Sequence, residues 1–528
     1  MALLSSCRPV PIPEPELLPR YGGTLVWGVY HKPSAINPFF TTQTASAALV
    51  QLIFNGLVRI NAVGAVEPDL AKSWSLSADG LTYTFHLRRG VRFHDGTELT
   101  AQDALFTYNI LKDPAVNSPF RESFDIVESF SAPDPYTFQV LLKKPSAAFI
   151  YRMVRYIAPE HLLKGRDPAG SDLDLHPVGT GPFRFQQWTQ DGRIILEANP
   201  DYYEGRPYLD EVAVRTYIDS QDVWAGLMRG EVDCAEFIDR KDYEVIRRDP
   251  AFKAFAVVAD SYYALRYVLT DPVLSDRRVR RAIGHAVDVK GLMERVEGGY
   301  GVEACGPFCP GSVGFDPDAP ALGYDPAKAG YLLEEAGWQD DDADGIREKD
   351  GQELALHVLF DSRSEAYERI VMALRQQLQE AGIRLEALTF DDDGMVTREF
   401  LKEKKIQACL TFILGGADPD QQSLDWSSRE NEAVLMLWGY DNEEVNRLFD
   451  RARLTQDQEE KRAAYQEIHR LIYDSQPACF LYFPSVFHGI SSRFKNTERY
   501  FNVNMPNYVI KDFYVSEGGD VPGDRRGR

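Results

Sequence analysis

Apolar and polar side chains alternate without a break across positions 82–87, with Tyr83, Phe85 and Leu87 on one face and Thr82, Thr84 and His86 on the other. That period of two predicts a strand with one buried face. Asp79-Gly80 before it and Asp95-Gly96 after it are turn pairs. The period then lengthens: Ala101, Ala104, Leu105, Tyr108 and Leu111 share one helical face, Thr100 is placed as N-cap, and Asp103 completes a capping box. Further strands are predicted at 24–29, 137–142 and 193–198, and a helix at 45–55. Beyond about residue 262 helical periodicity becomes more frequent. Asp325-Pro326 opens one helix that Gly337 closes, and Ala366, Ile370, Ala373, Leu374, Leu378 and Ala381 form the apolar stripe of another that stops at Gly382. Val445, Leu448, Phe449 and Ala452 mark a third, and Asp457 with Glu460 opens a fourth carrying Ala464, Ile468 and Leu471. Strands alternating with helices in this way predict α/β lobes.

Composition narrows the function more than the fold. The 528 residues are 44% hydrophobic and 26% charged, enough material for two or three domains. Asp and Glu outnumber Lys and Arg by 80 to 58, a formal charge of −22, which argues against nucleic acid because phosphates demand clustered cations. No apolar run reaches the roughly eighteen residues of a membrane-spanning helix. HExxH, GxSxG, a P-loop and a GxGxxG after a strand are all missing, and the nine histidines are scattered. An enzyme is therefore not expected, and a secreted hydrolase lacks the nucleophile or metal grouping it would need.

Four blocks carry a resemblance. The first is the segment already described, from Ala71 and Trp74 through Asp79-Gly80 to Asp103. The second is Pro177-Val-Gly179-Thr180-Gly181-Pro182-Phe183 with Asn199-Pro200-Asp201-Tyr202-Tyr203 and Gly205-Arg206-Pro207. The third is Leu274-Ser-Asp276 through Val279-Arg280-Arg281-Ala282 to Asp288, and the fourth runs from Tyr324-Asp325-Pro326 to Ala336-Gly337-Trp338. In this order they resemble family 5 of the bacterial extracellular solute-binding proteins, which serve peptide and nickel ABC importers. The resemblance implies a two-lobed periplasmic-binding-protein fold of the type II, Venus-flytrap kind, α/β, with an additional strand-rich insertion domain. Lobe I would comprise 21–58, 177–261 and 486–515, the insertion 59–176, and lobe II 262–485, with chain crossings near 262 and 486. Residues 1–20 would be a signal remnant and proline-rich tether, and 516–528 a flexible tail. The implied function is capture of peptides in an interlobe cleft by hinge closure and delivery to the transmembrane subunits of an ABC permease. Nickel chelates, opines, oligosaccharides and a signalling peptide are the alternatives, because fold does not determine ligand.

The ligand site is expected where Leu410-Thr411-Phe412-Ile413-Leu414 runs into Gly415-Gly416 and then Asp418-Pro419-Asp420. A strand ending in two glycines exposes backbone donors and acceptors, and a carboxylate just beyond can pair with a peptide ammonium. By similarity to the family, Asp418 is the first choice for that carboxylate and Asp420 the second, with Phe412, Gly415, Gly416 and Trp426 lining the site. The residue pattern also allows Asp418-Pro419-Asp420 to be only a turn. Where the family often has a tryptophan, positions 412–415 are Phe, Ile, Leu and Gly, so the pocket is expected to differ in shape. Asn37 after the first strand is a further lining position. Arg369, or secondarily Arg363, is placed to bind a peptide carboxylate.

Three other features bear on chemistry. Leu4-Ser5-Ser6-Cys7 resembles a lipobox, so Cys7 is expected to be lipidated and to hold a monomeric protein on the outer face of a membrane, with Pro9, Pro11, Pro13, Pro15 and Pro19 forming an extended tether. Cys234, Cys409 and Cys479 lie in apolar runs and read as buried thiols, whereas Cys305-Gly306-Pro307-Phe308-Cys309 places two thiols either side of a turn and is expected to form a disulfide outside the cytoplasm. Asp340, Asp342 and Asp344 followed by Gly345 match the first half of a Ca2+ loop, although position twelve is Gly351 and not Glu. A solvated acidic hairpin fits the same residues. No other cofactor is expected.

Overall fold

The computed structural model describes residues 19–515 except 31, 32, 34, 35, 43, 62, 63, 320, 391–397, 417, 456 and 502–506. Cys7, most of the proline-rich tether and the expected tail at 516–528 lie outside the described residues. In the first lobe, β1 (Thr24–Tyr30) buries Leu25, Trp27 and Val29. The insertion supplies β2 (Ala71–Leu76), β3 (Thr82–Leu87), β4 (Val127–Asp134) and β5 (Thr137–Leu142), paired in the order β2-β3-β5-β4, all antiparallel. The alternation seen in the sequence becomes one buried face carrying Tyr83, Phe85, Leu87, Phe138 and Val140, against which helix Ala101–Lys112 packs Tyr108. That helix has the expected capping box, with Thr100 accepting from Gln102 N and Asp103 accepting from Thr100 N.

The chain returns to lobe I through β6 (Phe183–Trp188), β7 (Ile194–Ala198), β8 (Glu211–Tyr217), β9 (Cys234–Ile238) and β10 (Phe252–Val258). β1 lies parallel to β8 over its whole length and parallel to β9 at Trp27 and Gly28. Gly28 allows helix Ser220–Met228 to sit directly on the sheet, since a Cβ there would stand 2.7 Å from Val223 Cγ1. Lobe II adds β11 (Tyr262–Tyr267), β12 (Gly301–Glu303), β13 (Ala355–Asp361), β14 (Arg384–Phe390) and β15 (Ala408–Ile413), with β13 parallel to both β14 and β15.

One strand joins the lobes. β16 (Ala478–Ser491) pairs its first half with β11 and β12 and its second half with β9 and β10. It changes partners at Pro484 and Ser485, and the chain makes its other passage at Ala259-Asp260-Ser261 between β10 and β11. β9 ends with Ile238 opposite Phe487, and β15 ends with Ile413 opposite Tyr262. The carboxyl ends of strands in both lobes therefore point at the seam between them. In open α/β sheets ligands bind at those ends.

The third sequence block builds an interior connection. Arg280 is buried and donates to the carbonyls of Leu274, Ser275, Ser475 and Gln476 at 2.7–3.0 Å. Two of these close the helix Gln458–Ser475, whose final turn otherwise leaves carbonyls without partners.

Candidate functional site

Two pairs of residues place the crevice wall in lobe II. The penultimate residue of β15, Phe412, is paired with Tyr263 of β11, and its ring rests on that tyrosine at 4.8 Å between centroids. Tyr263 also meets Tyr367 at 5.8 Å and Tyr482 at 5.2 Å, so the wall is aromatic. Beyond Phe412 the strand runs into Gly415 and Gly416. A Cβ on Gly415 would lie 2.1 Å from Asp260 O, so the first glycine lets the strand end press against the crossing segment. Its N–H donates to Ser261 Oγ at 3.1 Å. A Cβ on Gly416 would meet Gln421 Oε1 at 2.2 Å.

Asp418 follows, half-buried, and caps the short turn Pro419–Gln422 by accepting from Asp420 N at 3.0 Å. Among the described residues it has no ion-pair partner. Burial, with the neighbouring charge of Asp420, pushes its carboxyl up to about 6, against the pull of the Asp420 N–H, Lys461 and Arg152. Tyr151, whose own hydroxyl is pushed up by burial and by Asp418, belongs with Arg152 to the insertion helix Ala147–Val154, so Asp418 stands where lobe II meets the insertion domain. Asp420 differs. Arg453 Nε reaches both its carboxylate oxygens at 2.9 Å, and Arg453 also pairs with Glu430. Of the two expected carboxylates, only Asp420 has an ion-pair partner among the described residues.

Several sequence expectations are corrected here. Trp426 is 1% exposed and belongs to the core of lobe II, its Nε1 donating to Tyr262 OH at 3.0 Å while Arg266 stacks on its face. Asn37 is equally buried: its Nδ2 donates to Pro168 O and Asp174 Oδ1, and its Oδ1 accepts from Phe39 N, which leaves nothing for a ligand. Arg363 turns back on Asp361 at 2.8 Å. Arg369 makes a single ion pair among the described residues, at 3.5 Å to Glu365, and stays near the aromatic wall, where its charge acts on Tyr263, Tyr482 and Glu297. The Cys305–Cys309 bridge is not formed. Cys305 Sγ lies 3.4 Å from His469 Nε2 and Cys309 Sγ donates to Ala259 O, so the intervening turn directs the two thiols to different partners.

Asp340, Asp342 and Asp344 do converge, and Glu348 joins them with all four ligand atoms within 4.8 Å of one another. Sequence reading missed Glu348, the ninth position of the loop. This oxygen-only donor set suits Ca2+ better than Zn2+. Cavities away from the crevice include one of about 500 Å³ in lobe II lined by Lys290, Glu303, Cys305 and Tyr324, and one of about 260 Å³ lined by Asn55, Arg59, Asp69 and Tyr508. Also unforeseen were Tyr263, Tyr367 and the insertion residues Tyr151 and Arg152, because only the fold brings them beside positions 412–418. Among the described residues no helix is long and apolar enough to cross a membrane.

The chain is similar to known binding proteins over nearly its full length. It is 29% identical over 477 residues to the oligopeptide-binding protein AppA of Bacillus subtilis, covering 88% of this chain and 87% of that one. The solved structure of that protein with a nonapeptide aligns at a TM-score of 0.68 and 26% identity, over 95% of this chain and all of the other. NikZ from Campylobacter jejuni, solved with Ni(L-His), aligns at 0.70 and 25% identity over 93% and 99%. The family model for the middle region of the bacterial extracellular solute-binding proteins, family 5, matches residues 65–458. With that match and the two-lobed architecture, the chain belongs to family 5 of the bacterial extracellular solute-binding proteins.

Proposed function

We propose that the protein captures peptides in the crevice between its lobes and hands them to the permease of an ABC importer. Asp418 holds the ligand ammonium and Gly415-Gly416 presents backbone to an extended chain. The observation that carries this reading is Asp418 itself, a carboxylate without an ion-pair partner among the described residues, standing just past a strand that ends in two glycines. A half-buried carboxylate that Lys461 and Arg152 act on without forming an ion pair is costly to ionise, and a ligand amine offsets that cost. The peptide-binding relative supports the same class. Arg369, near the aromatic wall and only weakly paired, takes the ligand carboxylate. Cys7 carries a lipid anchor, and the protein acts as a monomer outside the cytoplasm. Native mass spectrometry of protein purified from its source, with identification of the released ligand, tests the assignment; release of anything other than a free-amine peptide overturns it. A second reading, a metal–amino-acid chelate, is favoured by the likeness to the Ni(L-His) complex and predicts that the released species contains nickel. Intact mass of detergent-extracted protein tests the lipid on Cys7.

A further inference from the structure

The two most exposed of the described phenylalanines are Phe237, at 36%, and Phe412, at 37%. They occupy matching places. Phe237 is the penultimate residue of β9 in lobe I, and Phe412 the penultimate residue of β15 in lobe II. Each strand has a parallel neighbour in its own sheet, so both rings stand at carboxyl ends that point at the seam. A phenyl ring left in water forgoes a large hydrophobic gain, and single exposed rings elsewhere need no explanation. Two at equivalent edges of one crevice do.

The backbone at Phe237 adds an independent observation. Its φ is +52°, and it is the sole aromatic among the described non-glycine residues with positive φ. A bulky side chain in the left-handed region is an outlier that the surroundings must enforce. The register of β9 against β16 shifts between Ala235 and Ile238, a bulge of the kind that re-aims a side chain. Phe237 N donates to His488 Nδ1 at 3.4 Å, and its ring packs edge-on against the imidazole at 5.2 Å. His488 is fully buried and held neutral by that burial, so it keeps an acceptor for this N–H. Phe412 has its own aromatic bed in Tyr263, Tyr367 and Tyr482. His488 and Tyr482 are six residues apart on β16, or about 20 Å along the strand, which is close to the reach of six extended peptide residues.

We propose that Phe237 and Phe412 are specificity-determining residues, each receiving an apolar or aromatic side chain of the bound peptide from its own lobe. The favoured ligands are peptides with two apolar residues separated by several positions. The inference rests on the peptide reading above.

Hexa-alanine and its six single-phenylalanine relatives, titrated calorimetrically into the full-length protein, test it. Phenylalanine at two separate positions is expected to tighten binding about tenfold, the scale of one buried ring. Phe237→Gly, which also relieves the positive φ, should abolish one gain and Phe412→Ala the other, each gain being the ratio of the phenylalanine peptide to hexa-alanine on the same variant. If Phe412→Ala melts below the assay temperature, Phe412→Leu keeps the packing on Tyr263 and is held to a gain reduced at least about threefold. Binding of hexa-alanine with no phenylalanine preference, or gains that survive both substitutions, overturns this inference alone. Failure of every peptide, with binding of a nickel–histidine chelate, overturns the peptide reading along with it.

Discussion

Replacing Asp418 by Asn removes a charge and little else. The Asn oxygen still accepts from Asp420 N, so the turn at Pro419–Gln422 survives, and the volume is unchanged. A partly desolvated charge-assisted hydrogen bond is worth roughly 1.5–3 kcal/mol, so affinity for a free-amine peptide should fall about ten- to a hundredfold. The pH dependence gives a second, sharper signature. With the free carboxyl raised to about 6, Asp418 is almost wholly ionised at pH 7.5 and about one-tenth ionised at pH 5. Affinity for an amine should therefore drop about tenfold across that window, close to 1.4 kcal/mol, and the drop should vanish in Asp418→Asn. The linked stability runs the other way. A carboxyl raised above its unfolded value stabilises the fold below that value, and the contribution is lost as pH rises through about 6, so Asp418→Asn should be as stable as the wild type or more so at pH 7.5. Calorimetry with tri-alanine and its N-acetyl form, at pH 7.5 and 5, reads both effects. If the variant binds tri-alanine as tightly as the wild type, or if acetylation costs nothing, Asp418 is a turn residue and the amine-binding role is lost.

Other predictions follow from interior and surface chemistry. Arg280→Met strands four carbonyls that now receive the guanidinium, and should destabilise lobe II by about 3 kcal/mol in denaturant melts; a loss under about 1 kcal/mol would contradict the buried network. Thiol titration of unreduced, denatured protein should find Cys305 and Cys309 both reactive, and finding both blocked would contradict the separate partners of the two thiols. Ca2+ at a few millimolar should raise the melting temperature more than NaCl of equal ionic strength, and Asp342→Asn should remove the difference; an equal response to both salts would mark positions 340–348 as a solvated acidic hairpin.

Local periodicity determined a good deal of this protein. The strand at 82–87, the capped helix after Thr100 and the helices opened by Asp325-Pro326 and Asp457 all form as the pattern predicts, because period, caps and turn pairs act within one or two turns of chain. Asp418 is a candidate from the family resemblance together with its place after a strand and two glycines, and its role stays a proposal. What the sequence could not decide is which polar groups remain free. Asp420, the second choice, and Asn37, a further lining position, carry no sign in the sequence of being taken, yet Arg453, 33 residues away, takes the first, and Pro168 and Asp174 take the second. Trp426 read as a lining residue and is core, because Tyr262 and Arg266 close over it. Phe237 gave no signal at all, since its exposure depends on a bulge against a strand 251 residues further on. A binding site is made of unspent valences and uncovered surface, and both are defined only when distant segments have packed and taken the partners they can reach.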